Sequence, residues 1–275
     1  MITISILIPS FNQAGFLKRN LEIMRTQVDE YTEVLIADGG SSDESCDVIK
    51  QFDSMITWWV SEKDGGQSHA LNKALKEATG EWIGWQNSDD CYTDGALAQF
   101  RAQLAADKGR NTEADVYYSH ANIIDEDDRL IFKKFYCPFN IDELKFLGYN
   151  CTNQAMFIRR SVLEKVGGWD GSYHFAMDAD LWFRLHAGGA RFKLVNTVWG
   201  AFRVQSESKS ATMNLRKSDE WTRLGLREFP AHAHLHPYCG HLHRRRIWYM
   251  FLRQVYLLRS GNWMSWLRHK WSGRY

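Results

Sequence analysis

Asn87-Ser88-Asp89-Asp90 follows directly on the apolar run Trp82-Ile83-Gly84-Trp85-Gln86. A segment of strand length therefore ends abruptly in short, oxygen-bearing side chains. In an open α/β sheet, ligands bind just beyond the carboxyl ends of the strands. A hard divalent cation prefers carboxylate oxygens and commonly takes one or two of them together with substrate phosphates. The same composition also suits a solvated acidic turn that opens a helix. Asp38 favours the first reading, because it ends a second strand candidate, Glu33–Ala37, and opens Asp38-Gly39-Gly40-Ser41-Ser42-Asp43. A third acidic pair, Asp178 and Asp180, sits in the first turn of a helical stretch marked by Leu181 and Leu185. Carboxylates there either cap the helix or serve as a general base.

The elements that must position these groups alternate. Strand Ile4–Ile8 ends in Pro9-Ser10-Phe11-Asn12-Gln13, and a helix follows with Leu17, Leu21 and Met24 on one face. Strand Glu33–Ala37 leads through Asp38 to a helix with Asp43 as its cap and Val48, Ile49 and Phe52 apolar. Strand Met55–Val60 ends in Ser61-Glu62-Lys63-Asp64-Gly65-Gly66-Gln67, before a helix through Ala70, Leu71, Ala74 and Leu75 that Gly80 closes. Trp82–Gln86 is the fourth strand. Strands alternating with helices predict a parallel sheet with right-handed crossovers, whose acidic and glycine-rich loops gather at one edge. Further on, Asp94–Ala106 reads as a helix, Asp115–Ser119 as a strand, and His120–Phe135 as a polar hairpin region whose turn is Asp125-Glu126-Asp127-Asp128. Ala155–Ile158 reads as a strand and Ser161–Val166 as a helix.

Pro9-Ser10-Phe11-Asn12, Ile36-Ala37-Asp38-Gly39-Gly40-Ser41-Ser42-Asp43, Ser61–Gln67 with Ala70-Leu71-Asn72-Lys73, and Asn87-Ser88-Asp89-Asp90 resemble, in that order, four motifs of family 2 glycosyltransferases. The resemblance runs through about residue 210. It implies a GT-A fold: a Rossmann-like, mostly parallel central sheet flanked by helices. It also implies a nucleotide-sugar donor, Mn²⁺ or Mg²⁺, and inversion at the anomeric carbon. Donor-binding roles follow for Pro9, Ser10, Asn12, Asp38, Gly39, Asp64, Gln67, Asn72, Asn87, Ser88, Asp89 and Arg203. Asp38 would hold the nucleobase or ribose, Asp64 would lie near the uracil or ribose, and Asp89, with Asp90 as helper, would ligate the metal on the diphosphate. Asn87 stands at the first acidic position of Asp-x-Asp and brings no charge, so metal and donor are expected to enter together.

By the same resemblance Asp178 aligns with the catalytic base, with Met177 replacing an acidic first member. Asn153, Gln154 and Asp180 are expected on the acceptor side. An inverting transfer needs one base for the acceptor hydroxyl and no covalent intermediate, and a metal ion can neutralise the leaving diphosphate. Relatives often carry Arg-x-His where Ala201-Phe202-Arg203-Val204-Gln205 stands; Gln205 is a poorer ligand, and Arg203, Lys209 and Ser210 are candidates for phosphate oxygens. The Gln-x-x-Arg-Trp signature of processive members is missing, which favours addition of a single sugar.

The 275 residues are 44% hydrophobic, enough for a sizeable core. No apolar stretch approaches the roughly 20 residues that span a bilayer, and no leader is evident. The five cysteines are scattered and read as reduced thiols. The net charge of +1 hides an asymmetry: from Phe229 onward there is no Asp or Glu, yet eight of the 34 Lys and Arg lie there. With Trp248, Tyr249, Tyr256, Trp263, Trp266 and Trp271 interleaved, this tail suits either an anionic membrane surface or a helix packed on the acidic body. Nothing suggests a nucleic-acid module.

The expected organisation is residues 1–228 as the GT-A domain, with 1–107 binding the nucleotide sugar and 108–228 the acceptor and base, followed by a basic aromatic helical extension, 229–275. The expected activity is inverting, metal-dependent transfer from a UDP- or dTDP-sugar to a glycan or lipid-linked oligosaccharide in cell-surface polysaccharide synthesis. The expected place is the cytoplasm, peripheral at the inner face of the membrane. A nucleotidyltransferase would use the same edge, but Pro9-Ser10-Phe11-Asn12-Gln13 is not the Gly-rich basic loop it needs. A non-catalytic sugar-nucleotide binder would keep Asp38 and Asp89 and need no base.

Overall fold

Every residue of β1 (Ile4–Ser10) is buried, a pattern only a strand covered on both faces and paired on both edges can satisfy. The computed structural model describes residues 3–147, 151–205, 214–228 and 243–262. β1 pairs in parallel with β2 (Thr32–Asp38) on one side and β4 (Trp82–Trp85) on the other. β3 (Trp58–Ser61) extends β2, also in parallel. It begins later than the apolar run starts, because Asp53–Met55 forms a 3-10 turn first. The crossover helices are α1 (Ala14–Arg25), α2 (Ser45–Gln51) and α3 (Gln67–Glu77). α1 buries Leu17, Leu21 and Met24 as its spacing predicts, and α3 buries Ala70, Leu71, Ala74 and Leu75.

The second half adds antiparallel pairing. β8 (Met156–Arg159) runs antiparallel to β4 and to β6 (Val116–Ile124). β6 also pairs with the hairpin strand β7 (Leu130–Lys134) and, in parallel, with β9 (Phe192–Arg203), which takes the short β5 (Cys91–Tyr92) on its far edge. The sheet order is β3-β2-β1-β4-β8-β6-β9-β5, with β7 beside β6. β6 is nine residues long, so the chain stays extended well past the expected Asp115–Ser119. Phe100 of α4 (Ala96–Arg110) enters the centre of this half. It stacks on Phe157 at 4.1 Å and meets Trp82, Tyr117 and Trp199 edge-on; such pairs add about 0.5–1.5 kcal/mol each beyond area burial.

Three further helices complete the second half: α5 (Ile141–Leu147), α6 (Arg160–Lys165) and α7 (Met177–Ala187). Two helices follow, α8 (Asn214–Glu228) and α9 (His243–Arg259). α9 lies against α5: the Tyr249 hydroxyl donates to Asp142 at 3.0 Å, and Leu257 is fully buried. Its outer face exposes Trp248, Phe251, Leu252 and Leu258. The helix therefore both packs on the body and presents an apolar stripe. Trp263, Trp266 and Trp271, together with Lys209 and Ser210, lie outside the described residues. Cys46, Cys91, Cys137 and Cys151 are free thiols.

α8 fixes the start of α7. Glu220 accepts the N–H groups of His174, Phe175 and Ala176 at 3.0, 2.7 and 2.9 Å, the donors that precede the helix. Burial would raise its carboxyl, but those N–H groups and nearby His174 outweigh it and hold the pKa below the ordinary 4.5. A depressed carboxylate stabilises the fold above its unfolded pKa, and that contribution is lost as pH falls through the folded value. Glu220→Ala should therefore lower unfolding stability by about 1–3 kcal/mol at pH 7, the penalty for stranding donors of a charge-assisted bond. The gap to wild type should shrink below pH 4. A pH-independent difference in chemical denaturation would contradict this role.

Candidate functional site

Four loops meet at the carboxyl edge of the parallel strands. In the first, Asn12 adopts the left-handed region (φ 49°), where asparagine is tolerated better than most residues. Its Oδ1 accepts the Ser42 N–H at 2.8 Å, and its own N–H donates to the Ser41 hydroxyl, lacing the β1 and β2 loops together. Asp43 binds across the gap as well, accepting the Ala14 N–H that opens α1 as well as the Ser45 N–H of its own helix. Asp38 is fully buried beneath these loops. Its carboxylate accepts the N–H groups of Gly40 and Ser41 and the hydroxyls of Ser41 and Ser61. Asp38 thereby shapes the Gly39–Ser41 turn.

Asp64 is placed differently. One oxygen accepts the Gly66 N–H at 2.7 Å, while the other is buried without a partner among the described residues. Gly39 faces it so closely that a β-carbon there would lie 3.3 Å from both Asp64 and the Phe11 ring. Phe11 itself is 58% exposed beside them, an apolar platform next to an unpaired acceptor. Ser10 nearby is buried with its hydroxyl unpaired among the described residues. Pro9 stays in the strand, paired with Ala37.

Around the fourth loop the side chains divide sharply. Asn87 Oδ1 accepts from Gln67 and from the Trp85 indole, and its Nδ2 donates to Asp90 at 2.9 Å. An aspartate in its place would set carboxylate against carboxylate, which accounts for the uncharged residue. Asp90 is wholly buried; its oxygens accept from Asn87, Gln154 and the Arg203 N–H. It organises the loop through these three bonds. Asp89 is half-buried, and its Oδ2 accepts the Gln205 amide at 2.7 Å and the Gln13 amide at 3.4 Å. Ser88 donates to Gln13 Oε1. Gln13 was visible in the motif, yet only its contact with Asp89 marks it as part of the site.

Several expected ligands are occupied elsewhere. Arg203 is 1% exposed: its guanidinium donates to the carbonyls of Asp89 and Asp125 and pairs with the Asp128 carboxylate. It holds the acidic hairpin turn to the Asp89 loop. Asn72 is closed on both ends by Trp169, accepting its N–H at 2.9 Å and donating to its carbonyl at 2.7 Å. Gln154 bonds Asp90 through Nε2 and takes the Thr152 hydroxyl on Oε1. Asn153 beside it is buried with Nδ2 unpartnered among the described residues.

The α7 pair separates in the same way. Asp180 is fully buried and lies between Arg184 and Arg227 in ion pairs of 2.6 and 2.5 Å, which anchor the helix. Asp178 is half-buried, with Oδ1 accepting the Ala179 N–H. Two contacts tie this helix start to the sheet edge: Ser68, next to Gln67, donates to the Tyr173 carbonyl, and a β-carbon on Gly66 would lie 3.4 Å from His174. The left-handed φ of 104° at Gly66 makes that position suited to glycine.

A parallel β-α half with its loop cluster, joined through antiparallel strands to a helix that opens on a carboxylate, defines a GT-A glycosyltransferase fold. The chain belongs to glycosyl transferase family 2, whose model matches residues 5–167. It is 26% identical over 230 residues to a PGL/p-HBAD biosynthesis glycosyltransferase of Mycobacterium bovis, covering 81% of this chain and 86% of that one. It is also 26% identical to an uncharacterized glycosyltransferase of Rickettsia typhi, across 66% of this chain but only 58% of the relative. Among solved structures, S. aureus TarS with UDP-GlcNAc aligns at TM-score 0.65 and 15% identity, over 82% of this chain and 66% of TarS. A mannosyltransferase from Pyrobaculum calidifontis with GDP-Man and Mn²⁺ aligns at 0.60 and 18%, over 82% and 64%.

If Arg203 is a structural clamp, Arg203→Ala should lower unfolding stability by about 1–3 kcal/mol, the penalty for stranding hydrogen-bond partners, here the carbonyls of Asp89 and Asp125. An unchanged melting temperature with weakened nucleotide binding would instead return Arg203 to the phosphates.

Proposed function

We propose that this protein moves one sugar from a UDP- or dTDP-sugar to a glycan or lipid-linked oligosaccharide, inverting the anomeric carbon, with a divalent metal on the diphosphate. The observation that carries the proposal is the contrast at the start of α7: Asp180 is fully buried between two arginines, while Asp178 is only half-buried. Of the two, Asp178 is the one placed to take a proton from an incoming hydroxyl.

Donor residues are assigned by what their side chains leave open. Asp64 and Ser10 offer unpaired polar atoms beside Gly39, and Phe11 offers a ring face on which a base can stack. On the acceptor side, the unpartnered Asn153 Nδ2 suits a sugar hydroxyl. The donor set fits a hard cation of low protein valency. Asp89 supplies one half-buried carboxylate and Gln205 an amide beside it, and no cluster of three His, Cys, Asp or Glu occurs among the described residues. Such an ion keeps most of its shell for water and phosphate oxygens. When bound, it would offset the charge of the leaving diphosphate. The Pyrobaculum mannosyltransferase, solved with GDP-Man and Mn²⁺ together, supports this reading.

Asp178 then acts alone as base. Its carboxylate accepts the acceptor hydroxyl proton as the oxygen attacks the anomeric carbon in line, and the bond to the diphosphate breaks on the opposite face. No helix among the described residues is long and apolar enough to cross a membrane. A cytoplasmic protein resting on the inner face of the membrane is supported by the outer stripe of α9, with Trp248, Phe251 and Leu258 exposed, and by the acid-free, basic tail.

The test is release of nucleoside diphosphate from a panel of UDP- and dTDP-sugars with Mn²⁺. Asp178→Asn should lower the turnover of the best donor by roughly 10²–10⁴, the range for a lost general base, with donor affinity nearly unchanged. Lost donor affinity with turnover spared would make Asp178 a helix cap.

A further inference from the structure

Lys134, the last residue of β7, is a half-buried cation with an unusual neighbourhood. Its ammonium group lies 5.5 Å from the Tyr136 ring centre, and it forms no ion pair among the described residues. Arg253 of α9 reaches the same place, donating to the Phe135 carbonyl at 3.3 Å. It is likewise without a carboxylate within salt-bridge distance among the described residues. Glu143 feels the Arg253 charge from further off, but burial dominates there and raises the Glu143 carboxyl. Burial, and after it the Arg253 charge, lowers the Lys134 pKa, so the two cations repel. Two half-buried like charges held together without a paired counter-ion are unfavourable unless a ligand supplies the anion.

The pair borders the proposed chemistry. The Cys151 thiol is within electrostatic reach of Asp178, Glu143 and Lys134. Asn153, two residues on, has its buried Nδ2 without a partner among the described residues. An anion held by Lys134 and Arg253 would thus share the Cys151 neighbourhood with Asp178. Arg253 also lies on the inner face of α9 with Tyr249 and Leu257, whereas Trp248, Phe251, Leu252 and Leu258 face outward.

We propose that Lys134 and Arg253 bind a phosphate group carried by the acceptor. The proposal deepens the transferase reading, since it names the acceptor's chemistry, yet its test requires no turnover. The phosphate is either that of a lipid headgroup, whose chain the outer stripe of α9 would receive, or that of a soluble phosphorylated glycan.

The experiment follows acetylation of Lys134 by mass spectrometry in the intact protein, with the other lysines as internal controls. The probes are inorganic phosphate, glycerol 3-phosphate, and phosphatidylcholine vesicles with and without phosphatidic acid. Inorganic phosphate at about ten times its Kd should slow Lys134 labelling about tenfold by mass action and leave the exposed Lys18 and Lys50 unaffected. Arg253→Gln should abolish the protection, and Arg253→Lys, which keeps the charge, should restore it. Protection by phosphatidic acid vesicles at much lower total phosphate identifies a lipid headgroup; equal protection by glycerol 3-phosphate identifies a soluble source. Labelling of Lys134 that ignores all four probes, or protection that survives Arg253→Gln, overturns the proposal. Because Asp178→Asn should protect like wild type, failure here and failure of the transferase reading remain separate results.

Discussion

A carboxylate removed from water must find its hydrogen bonds inside the protein, and Asp90 finds them on three different elements. Asn87 comes from its own loop, Gln154 from the turn before β8, and the Arg203 N–H from the end of β9. Burial and the adjacent Asp89 push its carboxyl above the ordinary range, so the donors must work against a desolvation penalty. Any displacement of β8 or β9 would strand that group. The second half of the sheet is thereby held in register with the loop that carries Asp89, and a distant strand end becomes a determinant of where one carboxylate stands.

The same logic recurs at α7. Asp180 is neutralised by Arg184 and Arg227, and Arg184 also binds the carbonyls of Val166 and Gly168. Glu220 gathers the N–H groups ahead of the helix. At both places two neighbouring carboxylates part company: one is buried to build the frame, and its neighbour keeps some surface. Asp89 and Asp178 are the two left half-buried.

The strand–helix alternation of the first half was legible because its apolar positions follow the periods of strand and helix, and because each loop carries glycine or acids. Leu17, Leu21 and Met24 face the core as their spacing requires. β9 was not legible: Lys193, Asn196 and Thr197 interrupt it, and each is explained only by a distant partner, Asp107, His120 and Gln99. The site shows the same boundary. Motif position brought out Asp64, Asp89 and Asp178, but it could not tell an exposed ligand from a buried strut. Arg203, Asn72, Gln154, Asp90 and Asp180 have the right chemistry for substrate and use it on the protein itself. Gln13 and Phe11 earn their place only by proximity, which no local pattern encodes.

A single carboxylate at the metal position makes the central claim open to a direct measurement: calorimetric titration of Mn²⁺ into the protein, alone and with UDP or dTDP present. One acidic ligand and its amide neighbours should hold the ion only weakly, while the diphosphate should strengthen binding by a factor of roughly 10² or more, equivalent to about 2.7 kcal/mol of coupling. That coupling should vanish in Asp89→Ala. Tight Mn²⁺ binding without nucleotide, or nucleotide binding indifferent to Mn²⁺ and EDTA, would contradict the account.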